Sequence, residues 1–298
     1  MNFIMFGVGG FVAPRHLQAI SGVGGNLLAA LDPNDSVGVL DTYFPECDFF
    51  TSYERFERHV NKLIRVDNID IDYCVVCTPN HLHDSHIRFA LGLGINVICE
   101  KPICIKPKNL DLLRAIELES GARVSCILQL RLHSEILKLK DKLSKNNSRH
   151  KVSLRYITSR GKWYSASWKG DYEKSGGLLF NIGIHLFDML IFLFGDVEAI
   201  TAADGDHERI NGELRLRRAD VKWFLSTSID DIPDVAREQG ARTWRSVMID
   251  EDEIEFSSGF TDLHCESYRK IVDGNGFGIN TAKASLELVS SINRVLEK

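Results

Sequence analysis

The chain has 298 residues, 44% of them hydrophobic and 26% charged, with a formal net charge of −5. That length leaves room for two domains with their own cores, and the composition is that of a globular protein, not a disordered or fibrous one. The acidic balance argues against a nucleic-acid binder, no apolar run approaches the roughly 20 residues that cross a bilayer, and the first strand begins at once, leaving no space for a secretory leader. Seven cysteines in scattered contexts point to reduced thiols in the cytoplasm.

Phe3 to Phe6 reads as a buried strand that stops at Gly7, and Pro14 to Ile20 as the start of a helix. Strand, glycine turn and helix make a dinucleotide fingerprint, because glycine lets the backbone turn tightly and approach a pyrophosphate. The phosphates then sit at the helix N-terminus, where unpaired N–H groups and the dipole favour anions. Gly7 and Gly9 take the first two fingerprint positions, Gly10 and Phe11 fill the turn, and Val12 stands where the third glycine or alanine belongs. A tight turn without a ligand is the competing reading of this stretch taken alone. A second apolar run from Asn26 ends in Asp32, about 20 residues past the glycines, where an acid meets the ribose hydroxyls. Asp41, which closes Val37 to Leu40, ranks second. An acid there favours NAD over NADP, whose 2′-phosphate would meet like charge.

Thr51 to Leu63 reads as a helix with Phe56, Val60 and Leu63 on one stripe, and Tyr73 to Cys77 as a strand running into Thr78, Pro79, Asn80, His81, Leu82 and His83. Pro79 and Asn80 end that strand and open a helix from Asp84 to Leu93. Ile95 to Cys99 is another short strand, followed by Glu100, Lys101 and Pro102; Asn109 to Ser120 is helical and Arg123 to Leu130 strand-like. Cys74 and Cys77, three apart on a strand, point to opposite faces, so they read as core thiols and not as a shared metal or redox pair. His81, His83 and His86 lack a fourth ligand at suitable spacing, and no metal is expected.

Alternating strands and helices predict an α/β fold with a doubly wound parallel sheet over residues 1–128. From 129 to 298 the pattern changes to an α+β domain. A helix at Ile136 to Leu143 and a polar turn at Asn146 to His150 precede alternating runs at Val152 to Thr158, Glu213 to Arg217, Val221 to Ser228 and Arg245 to Asp250. Alternation of this kind marks an open, mostly antiparallel sheet with one wet face. A last helix, Thr281 to Leu296, carries Leu286, Val289 and Ile292 on one face. Ligands of an open parallel sheet bind beyond the carboxyl ends of its strands, where the glycine turn, the Thr78–His83 loop and the Glu100–Pro102 loop lie. In the second half, Asn181 and His185, four apart near the start of an apolar helix, share one face and need partners if buried.

Gly7 and Gly9, Thr78-Pro79-Asn80-His81-x-His83, Glu100-Lys101-Pro102 and the Asn181-x-x-x-His185 helix together resemble the Gfo/Idh/MocA oxidoreductases along essentially the whole chain. The branch of UDP-N-acetylglucosaminuronate 3-dehydrogenases is the nearer likeness, on Gly10 to His16, Gln129 to His133, Thr158 to Tyr164, Ser167 to Asp171 and Gly259 to His264.

The resemblance implies a Rossmann domain followed by an open-sheet domain. It also implies hydride transfer from C3′ of the sugar to NAD⁺, giving a 3-keto sugar nucleotide for a partner aminotransferase. NADH is then recycled by exchange or by reduction of 2-oxoglutarate. Cofactor contacts fall to the glycine turn, Asp32, Thr78, Pro79, Asn80, His83, Glu100, Lys101, Gln129 and Trp168.

Lys101 and His185 flank the hydroxyl, one removing its proton and the other stabilising the oxyanion; His185 is the preferred base, and the reverse remains open. Glu100 positions Lys101, and the Lys101–Pro102 bond is a candidate cis peptide. Many family members carry Asp where this chain has Asn181, so no Asp–His dyad is transferred. Substrate contacts fall to Arg131, Arg160, Trp163, Tyr164, Ser167 and Asp171, with Lys162 and Lys169 nearby as cations for a diphosphate and a uronate. The open sheet face suggests a homodimer or homotetramer. Competing readings are a dehydrogenase for another sugar or sugar nucleotide, a non-catalytic cofactor-binding regulator, and a structural domain that holds no nucleotide.

Overall fold

A computed structural model describes residues 1–145, 147–260 and 262–297. Asn146 of the expected polar turn and Thr261 of the Gly259–His264 block lie outside the described residues. Two compact units are present, one of residues 1–127 with 264–282 and the other of residues 128–263 with 283–298. The stretch 264–282 thus belongs with the first unit, although chain order placed it in the second domain.

The first unit holds a six-stranded, all-parallel sheet in the order β3-β2-β1-β4-β5-β6. Its strands are β1 (Asn2–Phe6), β2 (Asn26–Leu31), β3 (Asp48–Phe50), β4 (Tyr73–Val76), β5 (Asn96–Cys99) and β6 (Val124–Cys126). Phe3 to Phe6 are wholly buried, as expected of a strand covered on both faces. The strand order reverses at β1, which pairs with β2 on one side and β4 on the other, so the crevice beyond its carboxyl end opens at Gly7. Tyr268 and Ile271, from the helix Leu263–Val272, join the core beside Phe3, Leu17 and Ala30. The strand expected from Arg123 to Leu130 is only three residues long, and a 3-10 turn, Gln129–Leu132, follows it.

In the second unit a mixed six-stranded sheet runs in the order β12-β11-β7-β10-β9-β8. The strands are β7 (His150–Thr158), β8 (Val197–Gly205), β9 (Arg209–Leu216), β10 (Ala219–Ser226), β11 (Thr243–Ile249) and β12 (Asp252–Glu255). All neighbours are antiparallel except β7 and β10. One face alternates inward through Val152, Leu154, Tyr156, Val221, Trp223, Leu225 and Val247. The helix Ile184–Phe194 lies on this face: Phe187 meets Trp223 edge-on at 5.1 Å, and a Cβ on Gly183 would stand 3.1 Å from Leu225. The helical run Tyr172–Phe194 satisfies the length and hydropathy of a membrane span, contrary to expectation, yet 78% of its apolar window is buried within the protein, as a core helix requires.

Candidate active site

The glycine turn is shaped by two steric constraints. Gly7 has φ of +89° and donates its N–H to Leu31 O at 2.7 Å, and a Cβ there would lie 2.8 Å from the Cys77 carbonyl. Only glycine fits, on both conformation and space. Gly9 donates its N–H to Asp32 Oδ2 at 2.9 Å, and a Cβ on it would stand 3.1 Å from the Asp32 carboxyl carbon. Asp32, buried at the end of β2, also accepts from the N–H and side-chain amide of Asn34 through Oδ1. The helix Ala13–Gly22 starts directly after, with proline in its first turn and neither a side-chain cap nor an acid there. This cradle of close backbone, bare helix N-terminus and carboxylate fits a dinucleotide. Phe11 projects from the turn, 78% exposed.

Two loops meet beside it within the same unit. His83 links them: its Nδ1 lies 2.6 Å from Pro102 O and its Nε2 2.7 Å from Thr78 O. The Lys101–Pro102 bond is cis. Both ring nitrogens of His83 face backbone carbonyls, so the ring braces the two loops against each other. His86 stacks on Phe6 at 4.1 Å and bonds Thr78 through Nδ1 at 3.1 Å. Asn80 is buried at the start of the 3-10 turn Asn80–Leu82, directly behind Pro79.

Glu100 is enclosed by groups from two distant parts of the chain and by the residue that follows it. Its Oε1 accepts from His16 Nε2 at 3.1 Å and His264 Nε2 at 2.9 Å, and its Oε2 accepts from the Lys101 N–H at 3.3 Å. Tyr268 donates to His16 Nδ1 at 2.8 Å, which leaves Nε2 to carry the proton toward Glu100. Burial pushes the Glu100 carboxyl up, but the two imidazole hydrogen bonds outweigh it and hold the carboxyl well below the usual range. His16, wholly buried, is pulled down by burial against the opposing pull of Glu100. The three ligand atoms lie within 4.8 Å of one another, but each is already spent on a hydrogen bond inside the trio. His16 and His264 close two of the resemblance blocks, and that was the one sequence signal for them.

A pH dependence follows from these buried imidazoles. His16 is depressed, and burial brings His86 to about 3, whereas both titrate near 6.5 when unfolded. Below that pH the unfolded chain binds more protons, so stability falls by up to about 1.4 kcal/mol per pH unit per group. Glu100 adds a second loss below about pH 4.3, toward its lower folded value. Urea midpoints at pH 7.5, 6 and 5 are therefore expected to decrease steadily; a flat profile would show that these histidines titrate normally.

In the second unit the residues expected to meet substrate divide into two groups. Arg131 is committed: Nε and one terminal nitrogen fork onto Asp188 at 2.8 and 2.9 Å, and its guanidinium lies 5.1 Å from the Phe192 ring centre. That corrects its assignment to an anionic ligand, because a buried carboxylate already neutralises it. Asp171 caps the short helix Tyr172–Ser175 and pairs with Lys174, and Ser167 closes a turn onto Tyr164 O at 2.8 Å, so both are held in local structure. Arg160 makes no ion pair among the described residues, and its guanidinium stands 6.0 Å from the Tyr164 ring. Trp163 is 51% exposed, and Lys169 lies 4.2 Å over Trp168. The Gln129 side-chain oxygen is buried without a partner.

Asn181 falls inside a π turn, Leu179–Gly183, that leads into the α-helix carrying His185. The wider turn replaces the expected α-helical register between the two residues, a distortion frequent at functional sites. The Asn181 amide donates to Lys169 O at 3.2 Å. His185 is half-buried at the start of its helix.

The profile of the Gfo/Idh/MocA oxidoreductase family, NAD-binding Rossmann fold, matches residues 1–127, and that of the family's C-terminal α/β domain matches residues 150–220. The structure of the WlbA (WbpB) dehydrogenase from Thermus thermophilus in complex with NAD and alpha-ketoglutarate is similar at a TM-score of 0.95 and 44% identity, over 98% of this chain and 94% of that one. Its complex with NAD and UDP-GlcNAcA gives 0.94 and 44%, over 97% and 94%. The WlbA dehydrogenase from Bordetella pertussis, 19% identical, shares the fold at a TM-score of 0.81 over 99% of this chain and 96% of its own. Glucose-6-phosphate 3-dehydrogenase of Bacillus subtilis (strain 168) is 27% identical over 64% of this chain and 53% of its own. The alignments span about half the length of the curated relatives they match.

Proposed function

The chain belongs to the Gfo/Idh/MocA oxidoreductases, and on that premise we propose that it oxidises the C3′ hydroxyl of UDP-N-acetylglucosaminuronic acid to the 3-keto sugar nucleotide. The carrying observation is the likeness, 44% identical across 97% of the chain, to a dehydrogenase that binds NAD and UDP-GlcNAcA. Bound NAD⁺ supplies the two-electron acceptor for the C3′ hydride. Gly7, Gly9, Gly10 and the helix after them hold its pyrophosphate, and Asp32 takes the ribose hydroxyls. His185 takes the hydroxyl proton as base, and the Lys101 ammonium stabilises the developing oxyanion. Glu100, through the Lys101 N–H, and His83, through Pro102 O, fix the loop that carries Lys101. Asn181 orients the sugar by hydrogen bonding, and Trp163, Tyr164 and Trp168 offer aromatic faces to sugar or base.

The Thermus thermophilus complex with alpha-ketoglutarate supports recycling of NADH on the protein by a 2-oxo acid. A ketone at C3′ is the substrate type of an aminotransferase, the proposed next step in surface-polysaccharide sugar synthesis. Seven free thiols fit a reducing, cytoplasmic setting. The outer face of the second sheet supports a homodimer or homotetramer. The test is an absorbance spectrum of the purified protein with NAD⁺, before and after UDP-N-acetylglucosaminuronic acid, repeated with 2-oxoglutarate or an aminotransferase to draw the equilibrium. Reduced-nicotinamide absorbance, or turnover of the coupled reaction, is expected. A flat response alongside reduction by a neutral sugar nucleotide would leave the family standing and overturn the substrate.

A further inference from the structure

The proton positions in the buried trio of His16, Glu100 and His264 can be read from its partners. His16 Nδ1 accepts from the Tyr268 hydroxyl, so the ring proton sits on Nε2 and is donated to Glu100 Oε1. His264 presents Nε2 to the same oxygen at 2.9 Å, while its Nδ1 is buried with no hydrogen-bond partner among the described residues. A proton on Nδ1 would be an unmet buried donor, so the ring proton belongs on Nε2 here as well. The two rings stand edge-on, 5.0 Å between centroids. Glu100 is thus a carboxylate held by three N–H donors: two imidazoles on Oε1, and the Lys101 N–H on Oε2 at 3.3 Å.

This arrangement divides the labour of the carboxylate. With both imidazoles on one oxygen, the carboxyl plane is fixed from two sides and Oε2 is left to face Lys101. The donors come from opposite ends of the chain. His16 lies on the helix Ala13–Gly22 that follows the glycine turn, and His264 on the helix Leu263–Val272, whose Tyr268 packs beside Phe3 in the core of the first unit. Take away a donor, and burial favours the neutral acid, which is no longer a fixed acceptor for the Lys101 N–H. Other groups that feel the Glu100 charge do not take its place. Burial pushes Cys77, Cys99 and Tyr268 well above their ordinary values, so they stay neutral. His83 is lowered by burial, with the Lys101 charge acting the same way, and Arg15 likewise adds to the lowering of His16.

We propose that His16 and His264 are positioning residues for Lys101: their paired hydrogen bonds to Oε1 aim Oε2 of Glu100 at the Lys101 N–H and so hold the loop that presents the Lys101 ammonium. The inference rests on the proposed function for the part Lys101 plays. It gives the return of residues 264–282 to the first unit a purpose beyond packing, since that stretch brings one of the two donors.

The test is steady-state kinetics of the NAD-loaded full chain with UDP-N-acetylglucosaminuronic acid between pH 6 and 9, alongside the backbone amide resonance of Lys101 in the NAD-bound protein. His16→Leu and His264→Leu each remove a donor, whereas His16→Gln and His264→Gln keep an N–H of similar reach. Each leucine variant is expected to lower kcat about 10- to 100-fold near pH 7, with KM for the sugar and NAD⁺ affinity within about threefold, because loop placement is lost and binding contacts are not. The shortfall narrows as pH rises: burial raises a Glu100 carboxyl that is short of a donor, and it regains its charge only at higher pH. Glu100→Gln, which does not ionise, shows a shortfall that pH does not narrow. The glutamine variants at the histidines recover most of the loss, and the Lys101 resonance moves in the leucine variants and returns in the glutamine ones. Leucine variants that keep kcat within about threefold, or glutamine variants that lose as much at every pH, would overturn the positioning role and leave the histidines as packing. If the natural protein does not oxidise this sugar, the proposed substrate fails and the amide resonance decides alone. A resonance displaced by leucine and restored by glutamine upholds the hold on Lys101, and one that never moves strikes it. Each histidine is tested alone, so failure of one variant to fold leaves the other to decide.

Discussion

Lys101→Met is expected to lower kcat for oxidation of the proposed sugar nucleotide by about 10²- to 10⁴-fold while NAD⁺ affinity stays within about threefold. The size follows from its proposed role: a positioned cation or proton acceptor acts on charge that develops only as hydride leaves, so its loss falls on the transition state. The selectivity follows from position. The groups proposed to hold the dinucleotide are the glycine turn, Asp32 and the start of the helix Ala13–Gly22, and none depends on the Lys101 side chain. The loop itself is fixed by backbone acceptors and donors, through His83 to Pro102 O and through Glu100 to the Lys101 N–H, so the methionine variant keeps its shape. His185→Asn is expected to lose a similar factor, and the pH–rate profile separates the two roles. If His185 is the base, its variant loses the acidic limb and Lys101→Met keeps it; the opposite pattern exchanges their assignments. Retention of kcat within about threefold in Lys101→Met would remove it from the chemistry.

How much of this was legible in the sequence depended on the range of the interactions. The first strand, the glycine turn and Asp32 could be read because each is set by local sterics, periodicity and one short spacing. The parallel, doubly wound character of the first sheet followed from alternation of strands and helices, whereas its strand order came from the fold. By contrast β8 was missed: Val197–Gly205 is an edge strand with both faces largely exposed, so its sequence carries no apolar alternation to find. The π turn at Leu179–Gly183 has no sequence signature either, and it altered the register assumed between Asn181 and His185. Partners far apart in the chain were the least visible. Glu100 meets His16 across 84 residues and His264 across 164, and the guanidinium of Arg131 finds Asp188 across 57. Arg131 was read as a substrate contact from its place in a loop expected around the cleft, and its carboxylate, 57 residues on, came only with the fold.

That pair is where the largest stability effect is expected. Asp188 is 2% exposed and three residues past His185 on the same helix, and Arg131 sits in the 3-10 turn Gln129–Leu132. Burial pushes the Asp188 carboxyl up, and the Arg131 guanidinium opposes it with two short hydrogen bonds. Removing one partner leaves the other charge buried and uncompensated, which costs about 3–5 kcal/mol. Asp188→Ala is therefore expected to lower the melting temperature of the second unit by roughly 6–20 °C, taking a few degrees per kcal/mol. Replacing both, Arg131→Met with Asp188→Leu, removes the charges together and is expected to recover much of that loss, because an apolar pair of similar volume carries no desolvation cost. A double-mutant cycle on these variants isolates the coupling between the two side chains. Additive losses would show that the ion pair contributes little beyond packing. A double variant that recovers stability yet still loses kcat would show that the pair also holds the His185 helix in register, since only that function needs the helix placed against the Gln129 turn.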